Sequence, residues 1–420
     1  MEDENDKIKE NLSEFSENLS YGKKKSNLYK KNIIIIISLS LVVVIAITII
    51  LLIILLSSQS SSDSDSNPPP TPTPKNIVGE ISCEYNIETT EALILGNNFQ
   101  KLSDFDIIIE GKKVDYNIKY KFEKFGKYNI QFILYNDINM FNMFKDVDSL
   151  IEVNMTTEND VKILNIENCF ENCINLNSVN IKGFNFNQIK SFHKLFYKSG
   201  LTSYNIQGDI STIEDISYML AGTNIEYIDL NNLLKDSILN ASHLFDNCKI
   251  LNNIELSNIN TINIKDISYM FNYCESLTSL DLSYFNTNNV LNMTHLFDNC
   301  ILLSNLITSN FNTNNVRDMS YMFNDCHSLI NLDLSHFKTD NVKNMSHMFC
   351  NCNSIQKLDI SKFKTNNVED MSNMFYLCHS LISLDTVFNT VISLTAHIPS
   401  NLKKSLKEYY TNLTTLIQNL

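Results

Sequence analysis

Tryptophan is absent from the 420 residues, and glycine and proline are scarce, at nine and six. With 44% hydrophobic residues, that scarcity excludes a low-complexity chain and leaves ample material for a packed core. Positive charge is also short: the formal net charge is −14. Residues 1–32 hold seven lysines and seven acids, so the whole acidic excess lies beyond them. An acidic distal part argues against nucleic acid as a partner. Charge, glycine and proline are all missing from the 24 residues Ile33 to Leu56. With no polar face, that run is not a buried core helix. At a rise of about 1.5 Å per residue it covers about 36 Å, enough to cross a hydrocarbon layer of about 30 Å.

What is present divides the chain at clear joints. Residues 1–32 read as a cytoplasmic tail ending in Lys23, Lys24, Lys25, Lys30 and Lys31. Residues 33–56 read as a transmembrane signal-anchor, oriented by those lysines with its C-terminal side extracellular or lumenal, a single-pass type II arrangement. A cleaved signal peptide would carry a shorter apolar region nearer the terminus. Residues 57–75, SSQSSSDSDSNPPPTPTPK, read as a disordered stalk. Residues 76–136 contain alternating and β-branched runs broken by glycine, which predict a small β-sandwich-like cap. EGKKVDYN suggests one hairpin there and YKFEKFGKYNIQFIL a second.

From about residue 137 to 385 the chain repeats itself. Cysteines 248, 274, 300, 326, 352 and 378 are each 26 residues apart. Aligning on the Phe three places before them extends the period upstream: Phe144, Phe170, Phe196, Leu220, Phe245, Phe271, Phe297, Phe323, Phe349 and Phe375. The spacing is 26 except for 24 and 25 around Leu220, giving about ten units. Leu277, Leu280 and Leu282 make an LxxLxL strand, followed by Phe285, Val290, Met293, Leu296 and Phe297. One unit cannot bury its own faces, so neighbours must stack on it. The DMSYMF stretches suggest short helical turns capped by Asp or Asn. Asn263, Asn289, Asn315, Asn341 and Asn367 form a row suited to bonding the backbone of the neighbouring turn. From about Thr386, residues 386–420 depart from the pattern and read as a partly helical C-terminal cap.

The pattern LDLSxFxTxNVxxMSxMFxxCxSL resembles the BspA-like leucine-rich-repeat surface proteins of bacteria and several protists. The likeness covers about 137–385 and is sharpest from Cys248 to Leu384. It implies a leucine-rich-repeat-like parallel β-solenoid, an α/β repeat, that acts at a cell surface in adhesion or partner binding. Relatives in bacteria are commonly lipid-anchored or secreted, whereas this chain carries an N-terminal apolar span.

Candidate functional residues follow from the repeat register. Asp281, Asp333, Asp359 and Asp385 sit on the exposed strand face, an acidic row for a basic partner or Ca²⁺, though a solubilising edge is the plainer account and Ile307 interrupts the row. N-glycosylation sequons in the distal part are Asn154, Asn240, Asn292, Asn344 and Asn412. The ladder cysteines read as small buried thiols, with Cys169/Cys173 and Cys350/Cys352 as the candidate bridges. His243, His295 and His347 share a register but lie two coils apart, too far to share a metal. Ladder spacing cannot converge four zinc ligands. The tetrapeptides DISY at 215, NASH at 240, DISY at 266, NMTH at 292, DMSY at 318 and NMSH at 344 pair Asp with Tyr and Asn with His in alternation, a 52-residue double unit.

These features predict a membrane-anchored, non-catalytic surface solenoid for adhesion or protein binding, with a protein or glycan ligand and no cofactor. The alternative is a receptor or scaffold that docks a partner through the short tail. An enzyme reading has little to stand on. The DFD at Asp104–Asp106 echoes a metal-binding DxD, but such triplets are common, and about 60 residues are too few for a sugar-nucleotide fold.

Overall fold

The computed structural model describes residues 75–385. The tail, the apolar run 33–56, nearly all of the stalk, the C-terminal cap and Asn412 lie outside them. Among the described residues no helix is long and apolar enough to cross a membrane.

Alternation of apolar and polar side chains dictates the strands. In β1 (Gly79–Ile87) Ile81, Cys83, Tyr85 and Ile87 point inward and their neighbours outward. It is followed by β2 (Glu91–Leu93), β3 (Phe105–Ile109), β4 (Lys112–Val114), β5 (Lys119–Lys121), β6 (Gly126–Leu134) and β7 (Ile138–Asn139). The repeats supply β8 (Leu150–Thr156), β9 (Ile163–Asn165), β10 (Ser178–Lys182), β11 (Ser203–Gln207), β12 (Tyr227–Asp229) and β13 (Asn253–Glu255). The last four are β14 (Ser279–Asp281), β15 (Asn305–Ile307), β16 (Lys357–Asp359) and β17 (Ser383–Asp385).

Two expectations for the cap need correction. Its long strands do not form a separate sandwich. They extend the first solenoid strands into one seven-stranded sheet, ordered β11-β10-β8-β1-β6-β3-β4. β8, β10 and β11 run parallel, and β1 joins them by antiparallel pairing with β8, Cys83 opposite Val153. The β3–β4 hairpin forms as expected, its turn made by Glu110 and Gly111 at φ 50° and 75°. The second hairpin does not. β6 has both edges taken, by β1 and β3, so β5 pairs with β2 instead.

The expected short helices are also absent among the described residues; tight turns stand in their place. The backbone explains why. In the coil around Phe271, alternate amides bond backward within the coil: Met270 N–H to Ile267 O (3.2 Å), Asn272 N–H to Tyr269 O (3.1 Å), Cys274 N–H to Phe271 O (3.2 Å). The amides between them bond the next coil: Tyr269 N–H to Thr294 O (2.9 Å), Phe271 N–H to Leu296 O (3.0 Å), Tyr273 N–H to Asp298 O (2.8 Å). A helix would send every amide back four residues along its own chain. Here left-handed residues four apart, Tyr269 at φ 58° and Tyr273 at 54°, turn alternate amides outward. Such left-handed pairs recur ten times, from Asn142/Asp146 to Asn373/Leu377, with Gly222 filling one place. A parallel bridge ladder links Ser191, Asp215, Asn240, Asp266, Asn292, Asp318, Asn344 and Asp370. The result is a parallel β-solenoid of about seven regular turns, its corner motif repeated further toward the cap.

Side-chain columns fill the interior. Phe245, Phe271, Phe297, Phe323, Phe349 and Phe375 stack face to face at 5.5–5.8 Å. Each ladder thiol donates to a carbonyl 28 or 29 residues back, as Cys300 Sγ does to Phe271 O at 3.1 Å. All ten cysteines are buried and unbridged, including Cys169, Cys173, Cys350 and Cys352. Burial pushes the thiols up, Cys248 to about 11, so they stay protonated and behave as core donors. The asparagine row does the work its spacing suggested: Asn289 and Asn315 donate to the Ile262 and Asn288 carbonyls at 2.8 and 2.7 Å.

Candidate binding surface

The short strands β12, β14, β15 and β16 bury their middle residue and expose the two flanking ones, as in β14, where Leu280 is buried between Ser279 and Asp281. Parallel pairing aligns one such position within each group of paired strands, and the repeat register continues the column from group to group. It begins with Asn154, Asn180 and Asn205, whose amides link side by side at 3.1 and 2.9 Å. From Asp229 it becomes acidic: Glu255, Asp281, Ile307, Asp333, Asp359 and Asp385 follow. Sequence reasoning named four of these acids. It missed Asp229 and Glu255, because IDLN at 228 and IELS at 254 depart from the LDLS pattern; their spacing of 26 from one another was the available signal.

The carboxylates are not free-swinging. Asp281, Asp333 and Asp359 each accept the backbone N–H two residues on, from Ser283, Ser335 and Ser361, at 2.8–2.9 Å. Asp229 does the same with Asn231 at 2.8 Å. The serine bonds hold Asp333 and Asp359 below the usual carboxylate range. One oxygen therefore fixes the side chain, and the other is left toward solvent on an exposed face.

The sequons fall in two settings. Asn154 is exposed on β8. Asn240, Asn292 and Asn344 are half-buried in the corner ladder, where each Oδ1 accepts the N–H two residues on. They cap a turn in place of the expected helix. The side-chain nitrogens of Asn292 and Asn344 also reach the Asp266 and Asp318 carboxylates of the preceding coil, at 3.4 Å.

The Asp–Tyr/Asn–His alternation builds a feature that spacing did not reveal. Tyr218, His243, Tyr269, His295, Tyr321 and His347 stack as six parallel rings, with centroids 4.1–4.3 Å apart and planes within 11°. All six occupy the left-handed region. Beside them His243 Nδ1 meets Asp246 Oδ2 at 2.8 Å, and His295 Nδ1 meets Asp298 Oδ2 at 2.6 Å. The other oxygen of each Asp accepts the amide of the next coil, from Asn272 and Asn324. At the third repeat Cys350 replaces the aspartate. His347 Nδ1 is then buried without a partner, while its Nε2 meets the Asn373 amide at 3.0 Å.

Neither acid of the DFD triplet is poised for a metal. Asp104 pairs with Lys75 at 2.6 Å, and Asp106 with Lys113 at 2.6 Å and the Tyr135 hydroxyl at 2.7 Å. Among the described residues no group of three or more His, Cys, Asp or Glu is placed to hold a metal ion.

Three stretches of the chain, 116–231, 215–309 and 304–391, match the model of a family described as Mycoplasma protein of unknown function, DUF285. No curated protein matches the chain. Among solved structures, it is similar to a leucine-rich cell surface protein from Faecalibacterium prausnitzii, at 14% identity over 64% of this chain and 87% of that one, with a TM-score of 0.24. It is also similar to a leucine-rich repeat protein from Eubacterium ventriosum, at 13% identity over 54% and 72%, with a TM-score of 0.25. The three family matches overlap into one unbroken run covering well over half of the sequence, and on that ground the chain belongs to the DUF285 family.

Proposed function

We propose that this protein is a non-catalytic binding solenoid displayed at a cell surface, anchored through residues 33–56, with its strand face as the contact surface for a basic protein partner. The observation that carries this reading is the column Asp229, Glu255, Asp281, Asp333 and Asp359. It presents carboxylates on five of six coils in a row, Ile307 taking the other place, each accepting the backbone N–H two residues on and spaced by the coil repeat of about 4.8 Å. A fixed row of one sign steers and orients an oppositely charged partner without having to be ordered on contact. The resemblance of the repeats to BspA-like surface proteins supports display at a surface and a binding role.

The test uses the purified full-length chain and a labelled oligolysine probe. Asp281→Asn, Asp333→Asn and Asp359→Asn together remove three charges yet keep the oxygen that accepts the Ser N–H. Binding is expected to weaken about tenfold, with a flatter dependence on salt. Neutralising Glu88, Glu91 and Asp148, which lie off this face, serves as the matched control and leaves binding nearly unchanged. Equal losses in both triple variants would sink the strand-face assignment.

A further inference from the structure

The strand ladder is interrupted between β11 and β12, between β13 and β14 and at the strandless coil after β15, where the corner ladder runs on, and the first of these breaks lies over a cleft. β11 closes the seven-stranded sheet, β12 opens a separate one with β13, and no backbone pairing joins β11 to β12. On the corner side the same two coils stay bonded, Phe196 N–H to Met219 O at 2.9 Å and Lys198 N–H to Ala221 O at 2.8 Å. The coils therefore diverge from corner to strand face. The break at β11 is set apart by the coil that carries that strand. It is the short one, with 24 residues between Phe196 and Leu220 where 26 is usual. Its two glycines let it close on the coil before it. A Cβ on Gly200 would lie 2.3 Å from the Ile174 carbonyl oxygen, and one on Gly208 would lie 2.8 Å from the Phe186 ring. Drawing tight on the upstream side opens the downstream side.

The opening is a cleft of about 310 Å³, at the small end of the range for ligand pockets. Its floor reaches the buried Met219 and Ile228, and its walls include Tyr204, Asn205, Tyr227 and Asp229. Tyr227 is 56% exposed, a large ring with no covering neighbour. Tyr204 is held from behind by Phe196, with ring centroids 5.6 Å apart. Each side carries a free acceptor. Asn205 spends its amide nitrogen on Asn180 Oδ1, leaving its carbonyl oxygen. Asp229 spends one oxygen on the Asn231 N–H, leaving the other. A ligand that brings donors is met on both sides, and the carboxylate disfavours an anion. An apolar floor, an exposed aromatic face and a rim of acceptors suit a polyhydroxylated ring, whose C–H face packs on the aromatic while its hydroxyls donate. The volume suits one such ring rather than an extended peptide running the length of β11.

We propose that the cleft between β11 and β12 binds one neutral pyranose unit of a glycan, stacked on Tyr227 and hydrogen-bonded to Asp229 and Asn205. The site lies on the face assigned above to a basic partner but does not depend on that assignment, since its ligand is uncharged.

The experiment is saturation-transfer NMR on the full-length protein with methyl glucoside, methyl galactoside and N-acetylglucosamine at millimolar concentration. At least one sugar is expected to receive saturation at its ring C–H protons. Tyr227→Ala weakens its binding about tenfold, and Asp229→Asn by several-fold. Both residues are exposed, so an unchanged melting temperature verifies the fold. Asp281→Asn, Asp333→Asn and Asp359→Asn leave sugar binding as it was even where they abolish oligolysine binding, which separates the two readings. No transfer to any of the three sugars overturns the proposal. So does transfer that survives both cleft variants, or transfer displaced only by a peptide.

Discussion

His347 shows how one residue can sit in a column yet differ from its mates. Its ring continues the Tyr–His stack, but the aspartate that receives His243 and His295 is Cys350 in its coil. Burial lowers its affinity for a proton, opposed by the charges of Asp370 and Asp298 and reinforced by His295. The folded form therefore binds this proton less readily than the unfolded chain, whose imidazole titrates near 6.5. The stability that follows is present above that value and is lost as pH falls below it. His347→Asn places there the residue found at the same register in Asn373, which also adopts positive φ. Between about pH 7.5 and 5.5 the melting temperature of the wild type should fall more than that of the variant. Parallel slopes would remove the role assigned to His347. Sequence made the alternation of these residues plain. It could not show the stack, because a tyrosine or histidine gives no sign of positive φ and a helix was the ordinary inference from an Asp-capped, methionine-rich turn.

At the scale of the element, the coils are joined by buried hydroxyls as well as by backbone. Thr287 donates to the Asn312 carbonyl at 3.0 Å and accepts the Asn312 N–H at 2.7 Å; Thr261, Thr313 and Thr339 make the same two bonds to their next coils. Thr287 is fully buried. Thr287→Val keeps the shape but leaves a buried donor and acceptor unmet, so a loss of about 2–3 kcal/mol is expected from urea unfolding. A change under about 0.5 kcal/mol would mean that water reaches these groups. The strand, the aromatic columns and the asparagine row were all legible in the 26-residue spacing, because each depends on period alone. The turn geometry was not, because it depends on which amides leave the coil. That is settled by the neighbouring coil rather than by local sequence.

For the molecule as a whole, the decisive junction is β1 against β8. The cap does not stand on the solenoid as a separate body; it completes the sheet and covers the edge that β8 would otherwise expose. An open edge of seven residues with Val153 and Met155 behind it is a template for pairing with other chains. Deleting residues 76–136 should therefore yield aggregated protein on gel filtration. A monodisperse monomer with an intact melting transition would show that the repeats end themselves. Alternating runs in the sequence signal strands here but not their attachment, since strand pairing across more than 60 residues leaves no periodic trace.

The ring stack has a consequence for how such a chain can change its length. Asp246 and Asp298 are each shared between a histidine of their own coil and an asparagine of the next, and His243 and His295 each lie between two tyrosines. Inserting or removing a single coil would bring two tyrosine coils, or two histidine coils, into register, and aspartate would face aspartate. Gaining or losing two coils restores every contact. The array is therefore built to lengthen and shorten by doublets, and the number of coils between Tyr218 and His347 should vary among relatives in even steps.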